Sequence, residues 1–193
     1  MKTSLARIRH ARSKQEFPFL PLEEGEYVEL ALTRSKLGLV LIWGGVAIAL
    51  LGIILFATII SSSLSASSLG GIPNSAMPYF FMLIISLSLA LVVAGVVGMK
   101  IYNGNSLFVT NKRIFQNTMT GLFARSSNVI ELYRIEDVSF KQSGIFDYLF
   151  KIGTIRMSTV GDETTYTFPF VDTPTDEVEM IAHLIHLSKD RNS

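Results

Sequence analysis

The chain contains no cysteine in its 193 residues. That excludes a disulfide framework, a thiolate metal site and a cysteine nucleophile. Charge is missing where a transporter would need it. Neither Leu37–Ile60 nor Tyr79–Met99 holds a charged residue, whereas proton relays, voltage sensors and ion-coupled transporters depend on ionisable groups within their spans. The two stretches therefore read as anchors. GxSxG, P-loop, HExxH and GxGxxG patterns are absent, which removes the usual short signatures of nucleophilic, phosphate-binding, zinc and dinucleotide chemistry. An enzyme is not expected, and neither is a cofactor.

What the chain does have is apolar length. It is 49% hydrophobic and only 17% charged. At a helical rise of about 1.5 Å per residue, residues 37–60 would reach about 36 Å, enough to cross a hydrocarbon core of about 30 Å. Residues 79–99 make a second span. Between them, 61–78 (SSSLSASSLGGIPNSAMP) is rich in Ser, Gly and Pro, uncharged, and read as a loop. Lys and Arg precede the first span, Lys100 follows the second, and the loop has neither. The bias of positive charge puts both termini in the cytoplasm and 61–78 outside a cell membrane.

Each span carries small residues at helical intervals. Gly38, Gly45 and Gly52 are spaced by seven, and Ala90, Ala94 and Gly98 by four. Such stripes let helices approach closely, either to pack the hairpin together or to assemble copies of it. Trp43, the single tryptophan, stands near a span end, where interfacial anchors occur.

Residues 1–15 carry Lys2, Arg7, Arg9, Arg12 and Lys14 without an acid. They read as an unstructured tail that enforces topology, or as an arm on an anionic leaflet. The proline-punctuated 17–22 (FPFLPL) should stay extended. Residues 26–33 alternate with period two, as a strand does, although a helical continuation into the first span is the alternative. In 101–193 acids outnumber bases, so no basic face marks a nucleic-acid site.

From 101 onward the pattern is β-rich. Strands are predicted at 107–110, 113–116, 128–133, 135–141, 153–159 and 164–170, with a hairpin turn at 161–163, an edge position at Pro169 and a helical turn or packed loop at 144–151. A C-terminal helix should start at Thr173-Pro174, with Val178, Ile181, Ala182 and Ile185 forming its apolar stripe. The expected architecture is a helical membrane hairpin plus a mainly-β barrel capped by that helix. His183 and His186 share a face with Glu179 nearby. An exposed polar face suits them better than a metal, so no metal site is expected. Glu136 and Asp137 adjoin in a strand, point to opposite faces and make a poor acid–base pair.

Three segments, VTNKRI (109–114), IELYRIEDV (130–138) and FKIGTIRM (150–157), carry a resemblance. Over roughly 101–190 the chain resembles the bacterial pleckstrin-homology (PH)-like domain of the YdbS type, and the layout of strand-like lead-in, hairpin and domain is similar too. The resemblance implies a PH-like barrel with a C-terminal helix, and no general catalytic role or agreed ligand. Some eukaryotic PH domains bind phosphoinositides through a basic turn. Lys112 and Arg113 occupy the comparable position, and with Lys141 they are the candidate binding residues. Three functions remain open. The first expected is a membrane-tethered, non-enzymatic module that binds a protein partner. The others are a sensor of anionic membrane lipids, and a self-associating or accessory subunit of a membrane assembly.

Overall fold

The structure, a computed structural model, describes residues 2–66, 76–159, 162–172 and 174–192. The chain divides into two compact units. One joins Met1–Ser35 to Asn103–Ser193, and the other is Lys36–Tyr102.

The alternating segment is a strand. β1 (Val28–Thr33) pairs antiparallel with β2 (Ser106–Thr110), with Thr33 opposite Ser106 and Val28 opposite Thr110. Its backbone groups are thus met by residues beyond both apolar helices, and the β domain expected over 101–190 takes its first strand from 28–33. β3 (Arg113–Met119) and β4 (Arg125–Glu131) complete a four-stranded sheet in the order β1-β2-β3-β4. β5 (Ile135–Lys141), β6 (Ile152–Thr159) and β7 (Asp162–Asp172) form a second, three-stranded sheet. Pro169 lies on β7, the last strand of the β5-β6-β7 sheet and an edge among the described residues. The hairpin tip at Gly161 and the predicted cap Thr173 lie outside the described residues.

The sheets do not close into the expected barrel. The run read as a strand over 128–133 ends at Glu131, and Leu132–Arg134 form a 3-10 turn. Leu132 and Ile135 are both fully buried. A turn with three residues per revolution brings positions three apart to one side, so both reach the core, and β4 and β5 part. α5 (Pro174–Asn192) packs against this turn and β5, placing Ile181 and Ile185 in the core beside Ile155 and Met157. A side-chain bond links the sheets directly: Gln116 Nε2 donates to the Thr167 carbonyl at 2.9 Å.

Two N-terminal expectations are corrected. Residues 2–16 form a helix, α1, rather than an unstructured tail. Ala, Arg, Lys and Gln favour that conformation, and β1 supplies anchors. The Val28 amide donates to Ser13 Oγ at 3.0 Å, and Arg9 pairs with Glu29 at 3.4 Å. Residues 17–22 turn rather than extend, with the Leu20 amide donating to the Phe17 carbonyl at 3.1 Å. The turn lays Phe17, Leu20 and Leu22 over Phe108 and Phe115, with the Phe17 and Phe108 ring centres 5.2 Å apart. The first sheet is therefore covered on both faces.

The second unit is two helices, α2 (Leu37–Ala66) and α3 (Met77–Asn103). Both are long and apolar enough to cross a membrane. Residues 61–66 are helical, not loop. The Ser61 and Ser62 hydroxyls donate to the carbonyls of Thr58 and Ile59 one turn earlier, which satisfies them without water. Residues 67–75 lie outside the described residues.

The helices meet along Gly38, Ile42 and Val46 on one side and Gly95, Gly98 and Tyr102 on the other. A Cβ on Gly38 would collide with the Tyr102 ring, and one on Gly95 would come within 2.8 Å of Val46 Cγ2. Positions spaced by four share a helix face, so the seam takes in Gly38 and Gly98 and passes beside Gly45 and Gly52. Nothing lies within 4 Å of a Cβ built on Gly45 or Gly52, and Ala90 and Ala94 are exposed.

Candidate functional site

The strand registers give the β domain two distinct ends. At one, Thr33 lies opposite Ser106, Met119 opposite Arg125, and Lys141 opposite Thr154. The Ser35 amide donates to the Phe170 carbonyl there at 2.6 Å. We call this the Ser35 end. The other holds the β2–β3 turn and the 3-10 turn, and we call it the Lys112 end.

At the Lys112 end, residues from before and after the hairpin are bound together. The Glu26 side chain is fully buried. Its Oε1 accepts from Thr110 Oγ1 at 2.7 Å and from Arg113 Nε at 3.2 Å. Its Oε2 accepts from Arg113 Nη2 at 2.6 Å and from the Glu23 amide at 2.9 Å. Asn111 closes the same corner. It accepts from the Tyr27 amide through Oδ1 at 3.1 Å and donates to the Gly25 carbonyl through Nδ2 at 3.2 Å. Gly25 has φ +73°, a conformation open to glycine at little cost. His10 reaches in from α1 to the Glu26 carbonyl at 2.5 Å, a contact that requires a proton on Nδ1.

Burial pushes the Glu26 carboxyl up, but bonds from Arg113, the Glu23 amide and Thr110 outweigh it and hold the group below the ordinary glutamate range. The bond to Glu26 pushes Arg113 up despite its partial burial. Both groups stay ionised at neutral pH. A general acid or base works best with a pKa near the working pH, so this pair is a structural clamp and not a proton-transfer device.

Around the clamp lies a cleft of about 220 Å³ lined by Glu23, Lys112, Arg113, Glu131, Tyr133 and Ser188. A neighbouring groove of about 340 Å³ shares Arg113 and Glu131 and adds Arg134, Thr159 and Tyr166. Charge in this region is matched pair by pair. Lys112 Nζ lies 3.2 Å from Glu23, Arg113 Nη1 lies 3.2 Å from Glu23, and Arg134 Nε lies 3.1 Å from Glu131. Tyr133 stands exposed beside Arg134, whose guanidinium lies 5.9 Å from the ring centre.

Of the candidate binding residues, the structure brings Lys112 and Arg113 together here and places Lys141 at the opposite end of the domain, at the close of β5. Sequence reasoning missed Glu23, Glu26 and Asn111. The only signal for them was an acidic, glycine-containing lead-in before a strand that lacked a partner. No group of three His, Asp or Glu residues capable of holding a metal occurs among the described residues, so His183, His186 and Glu179 are not joined by further ligands there.

A DUF1696 family protein with a pleckstrin-homology domain from Shewanella loihica PV-4 is a structural neighbour at TM-score 0.33 and 17% identity, covering 44% of this chain and 70% of its own. No curated protein matches the chain. The bacterial PH domain family matches residues 27–187, a range that begins just before β1, runs through both apolar helices and ends within α5. The chain belongs to the bacterial PH domain family.

Proposed function

We propose that this protein is a membrane-anchored, non-enzymatic interaction module that presents the Lys112 end of its PH domain to a protein partner at the cytoplasmic face of the bacterial membrane. PH domains are in general interaction modules rather than catalysts, and α2 and α3 have the length and composition of membrane spans. The positive charge flanking the spans favours both termini inside.

The observation that carries the choice of partner is the pairing of charge. Each cation lining the clefts already faces an acid: Lys112 and Arg113 face Glu23 and Glu26, and Arg134 faces Glu131. A polyphosphate headgroup would have to compete with those carboxylates. A protein surface of mixed sign would not, and the exposed Tyr133–Arg134 pair is of the residue types that dominate protein interfaces. Anionic-lipid sensing through the Lys112–Arg113 turn is correspondingly disfavoured. Self-association has one observation in its favour: Gly45 and Gly52 sit on a face of α2 that the hairpin itself leaves open.

The test is photo-crosslinking in intact membranes from a benzoylphenylalanine placed at Tyr133 or Lys112. The proposal expects one recurrent heterologous protein, lost when Glu131→Arg reverses the local charge. Lipid adducts alone would return the argument to lipid sensing. Self-crosslinks alone would move it to a homo-oligomer, which Gly45→Leu and Gly52→Leu should then dissociate.

A further inference from the structure

The Ser35 end of the β domain has the opposite character to the Lys112 end. Its loops are tipped with large exposed apolar side chains. In the β3–β4 turn, Phe123 is 100% exposed and Leu122 stands beside it. Between β5 and β6, a short helix α4 (Ile145–Leu149) presents Ile145 at 83%, Tyr148 at 80% and Leu149 at 68% exposure, followed by Phe150. Scattered exposed hydrophobics are ordinary, whereas a contiguous apolar patch marks an interaction surface.

Three observations converge on what meets this surface. First, it lies where the chain leaves the domain. Ser35, the residue before the second unit begins, donates to the Phe170 carbonyl. Phe170 in turn lines a small pocket with Asp147 of α4 and with Ile152 and Gly153. The β3–β4 turn projects from the same end, since Met119 packs on Gly104 and its amide donates to Asn105 Oδ1 at 3.2 Å. Second, the apolar segment is bracketed by exposed Lys141 and Lys151, and the β3–β4 turn is followed by exposed Arg125. Apolar and aromatic tips with basic flanks match the boundary between acyl chains and anionic headgroups. Third, tyrosine and phenylalanine at the domain edge from which the chain departs at Ser35 resemble the aromatic belt that fixes membrane proteins at the interface.

We infer that Leu122–Phe123 and Ile145–Phe150 form a two-loop foot that inserts into the interface of an anionic bilayer. The occupant is the lipid surface. This inference rests on the reading of α2 and α3 as membrane spans.

The absence of cysteine makes the test clean. Full-length chains carrying Leu149→Cys, Phe123→Cys, Glu136→Cys or Ile54→Cys are labelled with NBD. They are then reconstituted in nanodiscs of phosphatidylcholine and phosphatidylglycerol that contain a lipid with a shallow doxyl spin label. The Leu149 and Phe123 probes should shift to shorter wavelength and lose most of their emission to the doxyl group. The exposed Glu136 probe on β5 should keep its emission. Quenching at Leu149 should be stronger with phosphatidylglycerol than without it, and equal quenching would remove Lys141 and Lys151 from the contact.

The Ile54 probe, within α2, separates the two readings. If Ile54 is quenched while Leu149 and Phe123 behave like Glu136, the membrane reading stands and the foot is overturned. If Ile54 is not quenched, both fail. A blue-shifted Leu149 probe that resists doxyl and reverts in discs holding a single chain would assign the patch to a second copy, and so would also overturn the inference.

Discussion

Glu26→Gln is the most informative single change, because it removes one charge and almost no volume. Four donors converge on the carboxylate: Thr110 Oγ1, Arg113 Nε, Arg113 Nη2 and the Glu23 amide. A glutamine offers one oxygen. Whichever way its amide turns, its NH2 faces at least one N–H that had an acceptor, either Arg113 Nε or the Arg113 Nη2 and Glu23 pair. Arg113, with a side chain only 20% exposed, keeps the more exposed Glu23 and the neutral Pro21 carbonyl. Breaking a buried ion pair from one side costs about 3–5 kcal/mol. At about 1.4 kcal/mol per tenfold, that is a loss of about a hundredfold or more in the equilibrium that keeps the corner closed. Hydrogen exchange of the Tyr27, Asn111 and Arg113 amides, measured on the full chain in detergent micelles, reads that equilibrium directly. A change below about fivefold, the scale of an exposed ion pair, would refute the account of Glu26 as a buried clamp.

Because the Glu26 pKa is lowered on folding, its contribution is complete above the ordinary glutamate value of about 4.3. It is lost as pH falls through the depressed value. Protection at these amides in the wild type should drop over that acid window, and Glu26→Gln should flatten the drop. Gly95→Leu should lower the thermal midpoint of the hairpin followed by Trp43 emission, because overpacking against Val46 costs about 1–3 kcal/mol. Gly45→Leu, with nothing within 4 Å of its Cβ, should leave that midpoint unchanged. Ile181→Ala empties a fully buried position between α5 and the second sheet. It should cost about 2–5 kcal/mol, seen as faster proteolysis of α5.

Much of the fold is legible because its signals are local. The β3, β5 and β6 segments, the break between strands at 111–112 and the stripe of Val178, Ile181 and Ile185 all follow from short periodicities. What escapes local reading depends on partners distant in sequence. Residues 2–16 carry no conspicuous helical stripe, and α1 is held by Ser13 and Arg9 reaching β1. Residues 17–22 turn because Phe108 and Phe115 need a cover. The glycines spaced by seven suggest a seam, but the seam keeps Gly38 against Tyr102 and then follows Val46 against Gly95, leaving Gly45 and Gly52 off it. The candidate site shows the same limit. Lys112 and Arg113 read as free cations until Glu23 and Glu26, on the far side of the hairpin in sequence, are brought against them.

The central claim is that one PH domain is assembled from both sides of an inserted apolar hairpin, and a disulfide tests it most directly. Ala31 lies opposite Phe108 in the β1–β2 register, and opposed residues share a face with Cβ atoms about 4.5–5.5 Å apart. In this cysteine-free chain, Ala31→Cys with Phe108→Cys should form a bond under mild oxidation in membranes. Ala31→Cys with Val109→Cys, whose side chains point to opposite faces, should not. Failure of the first pair, or equal bonding of both, would contradict the domain's construction and with it the shared surface at the Lys112 end.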